Sequence, residues 1–124
     1  MKFTLAKSIR YWWPVTVRMP DPNTPGKIIE QQLKVLFEPK GRDEAIAAQD
    51  AYAALGSVRE RADHEHAELR DVVKGWDDVV DEDRNPVPFT EEAIQAALQL
   101  SWFRTGVYNA YADSLAGQEA RLGN

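Results

Sequence analysis

At 124 residues and 14.0 kDa, with 44% hydrophobic and 28% charged residues, the chain has the length and composition of one soluble globular domain and not of a disordered segment. The absence of cysteine removes disulfide staples, thiolate zinc sites and cysteine nucleophiles together. The formal net charge of −5 conceals a division: residues 1–42 hold eight Lys/Arg against three Asp/Glu, and residues 43–124 hold seven against seventeen, a polarity that favours charged partners or other copies of the chain.

The basic first part reads as strands. Phe3 and Leu5 alternate with Lys2 and Thr4, and Trp13, Val15, Val17 and Met19 alternate with Thr16 and Arg18. That is the two-residue period of a sheet with one wet face. Pro20-Asp21-Pro22-Asn23-Thr24-Pro25-Gly26 cannot continue a strand and suits a hairpin loop. Ile29, Leu33, Val35 and Phe37 then resume the alternation. An antiparallel meander of about three strands is expected over residues 1–42.

From Asp43 the period changes to that of helices. Asp43 can cap an alanine-rich helix carrying Ile46, Tyr52 and Leu55, closed by Gly56. Ser57 and Glu60 form an S-x-x-E capping box for a second helix. Its stripe runs Val58, Ala62, His66, Leu69, Val73 and Trp76, with Gly75 ending it. Residues 79–89 read as a small hairpin or tight loop. Thr90 caps a third helix with Glu91 and Glu92 in its first turn, where the dipole favours acids, and Ser101 starts a fourth carrying Phe103, Val107, Tyr111 and Leu115. The expected fold is α+β: a small antiparallel sheet followed by about four short helices, in a single domain over 1–124 with a basic β-rich part (1–42) and an acidic helical part (43–124).

None of the constellations that carry chemistry is complete. His64 and His66 stand about 200° apart on a helix and cannot share one ion, and His66 falls on the apolar stripe as a partly buried histidine. Asp81, Asp83, Asn85 and Glu92 match four positions of a calcium loop, but Pro86 stands where its sharp turn needs glycine. No serine lies in G-x-S-x-G, and Gly26-Lys27 lacks the upstream glycine of a phosphate loop. No enzyme, cofactor or metal is expected. Tyr11, Trp12 and Trp13 among basic strands could stack on bases, yet Trp13 belongs to the apolar face and the acidic second part repels phosphates, so nucleic acid is disfavoured. No apolar run nears the roughly 18 residues of a membrane span. A binding or assembly module remains.

The segment Gly75-Trp76-Asp77-Asp78-Val79-Val80-Asp81-Glu82-Asp83-Arg84-Asn85-Pro86-Val87-Pro88-Phe89-Thr90 resembles the GW-x-x-V-x-D-E-D-G-x-P-x-P-F-T signature of tail assembly chaperones of long-tailed bacteriophages and prophages. The resemblance continues through Glu91-Glu92-Ala93-Ile94, Trp102-Phe103-Arg104 and Tyr108-Asn109-Ala110-Tyr111. It singles out Gly75, Trp76, Val80, Asp81, Asp83, Pro86, Pro88, Phe89, Trp102, Tyr108 and Tyr111 as structural and interaction residues. Arg84 replaces the usual glycine, which calls for a non-glycine residue at positive φ or a different turn. The resemblance implies a protein that coats the tape measure protein, recruits tail tube subunits, works in the host bacterial cytoplasm and is absent from the mature virion. A minor tail structural protein and a small nucleic-acid-binding phage regulator are the alternatives. Members of the family are often made in two lengths by a −1 slip, and Leu122-Gly123-Asn124 is compatible with a slippery codon run.

Overall fold

The computed structural model describes residues 1–120; the Leu122–Asn124 codon run lies outside the described residues. The element order is β1 (Tyr11–Pro20), β2 (Ile28–Phe37), α1 (Arg42–Ala53), α2 (Val58–Val72), β3 (Val73–Asp77), α3 (Glu91–Leu98) and α4 (Ser101–Leu115). The α+β architecture is the expected one: a three-stranded antiparallel sheet in the order β1-β2-β3, with four helices.

The β1–β2 hairpin follows from alternation and its proline-rich turn. Tyr11 pairs with Phe37 and Pro20 with Ile28 in one unbroken register, and the Asp21 carboxylate accepts from the Asn23 N–H (2.9 Å) inside the turn. The inward residues Val15, Val17, Leu33, Val35 and Phe37 are buried, as the period requires.

The third strand is not where the alternation of residues 2–5 put it. Phe3 and Leu5 lie on an arm outside the sheet, and the place beside β2 is taken by Val73–Asp77, which the helical stripe had absorbed. The cause is a β-bulge. Leu36 faces Gly75 while Phe37 faces Val73, so Lys74 is an extra residue. Two residues three apart on a regular strand point to opposite faces; the inserted residue returns Val73 and Trp76 to the same one. A spacing of three is also the helical signal, and the β-branched pair Val72-Val73 ends α2 before Gly75 does.

The helix starts follow the local chemistry only in part. Ser57 accepts from the Glu60 N–H (3.0 Å) and Thr90 from the Ala93 N–H (3.1 Å), as expected of caps. Asp43 does not cap α1: Gly41 holds that position, with Asp43 in the first turn. Ser101 begins α4 behind an N-cap Leu100 that lends no side chain.

The core lies on one face of the sheet. Leu69 and Val72 from the end of α2, Ile94 and Leu98 from α3, and Phe103, Val107 and Ala110 from α4 close over the inner faces of the strands. Gly106 brings α4 against β1: a Cβ there would stand 2.7 Å from the Thr16 carbonyl oxygen. The predicted stripe of α2 is buried only in its last two turns, since Val58 is 77% exposed and Ala62 is open to solvent. That half of the helix runs past the sheet and meets α1, which contributes no buried residue and leaves Ile46 exposed. Leu115, expected on the apolar face of α4, is also exposed.

Candidate interaction site

The segment after β3 folds into a small closed hairpin, as its sequence suggested. Asp78 adopts φ +64 and turns the chain back, Val80 and Pro86 form an antiparallel bridge, and the Val87 N–H donates to the Val79 carbonyl (2.8 Å). The Asp81 carboxylate organises the tip, accepting from the N–H groups of Asp83 (2.9 Å) and Asn85 (3.0 Å). Arg84 occupies the left-handed region at φ +67, the first of the two solutions its departure from glycine allowed.

Trp76 fastens this hairpin to the body. Its indole N–H donates to the Val87 carbonyl (2.8 Å), and its ring stands edge-on to Phe89 (5.3 Å) and Phe103 (6.4 Å). Phe89 leads directly into the Thr90 cap of α3. The aromatic cluster therefore ties β3, the hairpin, α3 and α4 together, while Asp81, Glu82 and Asp83 are exposed at the tip.

Trp76 thus sits on a strand and not at the end of a helix, and its contacts join β3 to the hairpin and to α4. Gly75 lies on the sheet face away from the core, beside Leu36 and Trp12. Val80, Pro86 and Pro88 are exposed around the hairpin, and Trp102 packs half-buried against the core. The two tyrosines of the resemblance are not part of this cluster. Tyr108 points to solvent, whereas Tyr111 lies half-buried 5.3 Å from Phe37. Of the tyrosines in the acidic part, only Tyr108 is openly exposed: Tyr52 is half-buried and donates to Glu65 (3.1 Å).

A second polar centre was not visible in the sequence. The Lys40 ammonium binds Glu68 (2.5 Å) and Asp71 (3.5 Å) on α2, and its backbone N–H donates to the Tyr111 hydroxyl (3.3 Å) on α4. Desolvation pushes the Lys40 pKa down, but the hydrogen bond and charge of Glu68, with Asp71 behind them, outweigh it and leave the pKa above 10.5. Burial raises the Tyr111 phenol, and the Arg10 hydrogen bond lowers the Glu38 carboxyl. Because the Lys40 pKa is raised on folding, its contribution is complete at neutral pH and disappears only as pH climbs through the folded value. Lys40→Met is expected to cost about 1 kcal/mol at pH 7, and denaturant titrations should show that difference shrinking above pH 10.5.

The histidines diverge as predicted. His64 approaches Glu68 (3.8 Å) and stacks obliquely near Tyr52, whereas His66 lines a groove between α2 and α3. This groove, about 540 Å³, is bordered by Arg59, Asp63, Arg70, Gln95 and Gln99, so His66 borders a polar groove and not the apolar core. Arg70 spans it to reach Glu91. On the outer sheet face the cations are paired, Arg18 with Glu30 (3.7 Å) and Lys34 with Asp78 (3.6 Å), which weakens it as a phosphate-binding surface. Trp13 is half-buried beside Tyr11 (6.1 Å), on the core side as expected.

The strained Arg84 gives a direct test of the turn. Arg84→Gly is expected to stabilise the protein by about 0.5 kcal/mol, relief of a left-handed residue partly offset by the greater freedom of unfolded glycine. A small rise in Tm would report it.

Comparisons with known protein families, curated proteins and solved structures return no match. Among the described residues no helix is long and apolar enough to cross a membrane.

Proposed function

We propose that the chain is a phage tail assembly chaperone, a non-catalytic protein without cofactor that binds the tape measure protein and recruits tail tube subunits in the host bacterial cytoplasm, and that is not retained in the mature virion. The observation that carries this reading is how the signature segment is used. Trp76, Pro86 and Phe89 are spent on closing and docking the hairpin, and the Asp81 carboxylate on holding its tip. Glu82 and Asp83 are left exposed at the tip with no described hydrogen-bond role for their carboxylates. A rigid acidic loop on a small scaffold suits recognition of a basic or amphipathic segment of another protein more than it suits chemistry.

Co-expression with the tape measure protein of the same phage tests the proposal. The expected result is a soluble tape measure protein, with solubility reduced when Glu82→Lys and Asp83→Lys are introduced together. A tape measure protein that stays insoluble, but is rescued by another early tail protein of that phage, would overturn it in favour of a structural tail protein. A DNA mobility shift would favour the nucleic-acid regulator instead.

A further inference from the structure

We infer that residues 1–6 are an exchangeable β-arm that adds to the free edge of β3 in a second copy of this chain. The proposal does not rest on the chaperone reading, although both draw on the acidic tip of the hairpin, and its test reads Phe3, Leu5 and Asp77 and not Glu82 or Asp83.

The arm is built like a strand and has no sheet. Met1, Phe3 and Leu5 alternate with Lys2 and Thr4, and Phe3 and Leu5 are each 89% exposed. A bend at Lys7-Ser8 turns these residues away from β1, and Arg10 is held behind the bend by Glu38 (2.8 Å). A period-two apolar face left wholly in water has a reason when another chain covers it.

The sheet offers two edges, and they differ. β1 carries Pro14 and Pro20, which remove ladder donors, and α4 presses on its Thr16 carbonyl through Gly106. β3 contains no proline and is paired only with β2. A strand laid along Gly75–Asp77 would bring one row of side chains over Gly75. The missing side chain there leaves Leu36 and the half-exposed Trp12 uncovered on the outer face, within 4.0 Å of where a Cβ would stand. Phe3 and Leu5 fill that row. Lys2 and Thr4 then face the hairpin side, where Asp81, Glu82 and Asp83 are exposed, and Asp77 and Asp78 flank the strand end.

Charge selects the occupant. The arm has Lys2 and Lys7 and no acid. In contrast, β3 and the hairpin that follows it, residues 73–84, carry five carboxylates against Lys74 and Arg84, with Asp78 paired to Lys34. The receiving segment is therefore acidic on balance and fits the arm of a like chain. The bulge at Lys74 limits the pairing to a few residues, which makes the contact reversible.

Because the chain has no cysteine, a crosslink reads the contact directly. Phe3→Cys and Asp77→Cys, made as separate proteins, are mixed under mild oxidant at concentrations on the order of 100 μM. The expected product is a mixed disulfide dimer. In sedimentation velocity the natural sequence should self-associate at 0.01 M salt, where the screening length is ~30 Å, and less at 1 M, where it is ~3 Å. Phe3→Asp with Leu5→Asp should weaken association at least about tenfold, equivalent to about 1.4 kcal/mol, with an unchanged circular dichroism spectrum because both side chains are exposed. A chain that is monomeric at low salt, an oligomer indifferent to the double substitution, or a 3–77 disulfide that forms only within a single doubly substituted chain would each overturn the proposal.

Discussion

Trp76→Ala is expected to destabilise the protein by about 3–5 kcal/mol, a large share of the total of roughly 5–15 kcal/mol for a domain of this kind. The indole is only 9% exposed and packs edge-on against Phe89 and Phe103, so truncation leaves a cavity bordered by the hairpin's exit and by α4. It also removes the donor to the Val87 carbonyl, through which the hairpin is tied down. Trp76→Phe separates the two effects. It keeps most of the apolar volume and loses the hydrogen bond, for about 1 kcal/mol. Urea titration of both variants gives the comparison, and near-equal losses would mean that the hydrogen bond, not the packing, fastens the hairpin.

The second large effect is expected at Gly106. Alanine is the better helix former by about 1 kcal/mol in a helix interior, so propensity alone predicts stabilisation. The added Cβ would lie 2.7 Å from the Thr16 carbonyl oxygen and 3.3 Å from the Val17 side chain. The nearer atom is backbone in a paired strand and cannot rotate aside, so α4 must lift from β1. Overpacking of this kind costs roughly 1–3 kcal/mol, and since α4 carries Phe103, Val107 and Ala110 into the core, the upper part of that range applies. A net loss of about 2 kcal/mol is expected, seen as a Tm lower by several degrees. Gly56→Ala is the control, because a Cβ at Gly56 meets nothing within 4 Å and the residue caps no helix.

What the sequence disclosed depended on how local each cause was. β1 and β2 were legible because alternation on both sides of a proline-rich turn leaves few other structures open, and the Ser57 and Thr90 caps because a hydroxyl and the N–H three residues on suffice to define them. β3 was not. Its bulge gives Val73 and Trp76 the spacing of a helix, and the information that corrects this is the pairing with Leu36 and Phe37, almost forty residues earlier in the chain. Residues 2–5 show the converse, a real strand pattern with no partner inside the molecule. In the site, the hairpin was one of two forms the residues allowed, and the positive φ of Arg84 one of two solutions its departure from glycine left open, but the distribution of the aromatics was not legible. Whether Tyr111 faces Phe37 or solvent depends on how α4 crosses the sheet. Lys40 had no local mark at all, since both its carboxylates come from α2 and its hydroxyl partner from α4.

Because α1 has no buried residue and rests chiefly on the exposed half of α2, little apolar area is lost when it opens. Its amide protons should therefore exchange with deuterium through a local opening that costs far less than global unfolding. Those of β2, whose Leu33, Val35 and Phe37 are buried between two strands and the helices, should exchange only when the whole molecule unfolds. Between these limits α1 acts as a separately melting unit. Apart from the exposed arm ahead of β1, a protease that nicks the native protein slowly should cut first within residues 42–56, leaving the sheet and the Trp76 cluster assembled.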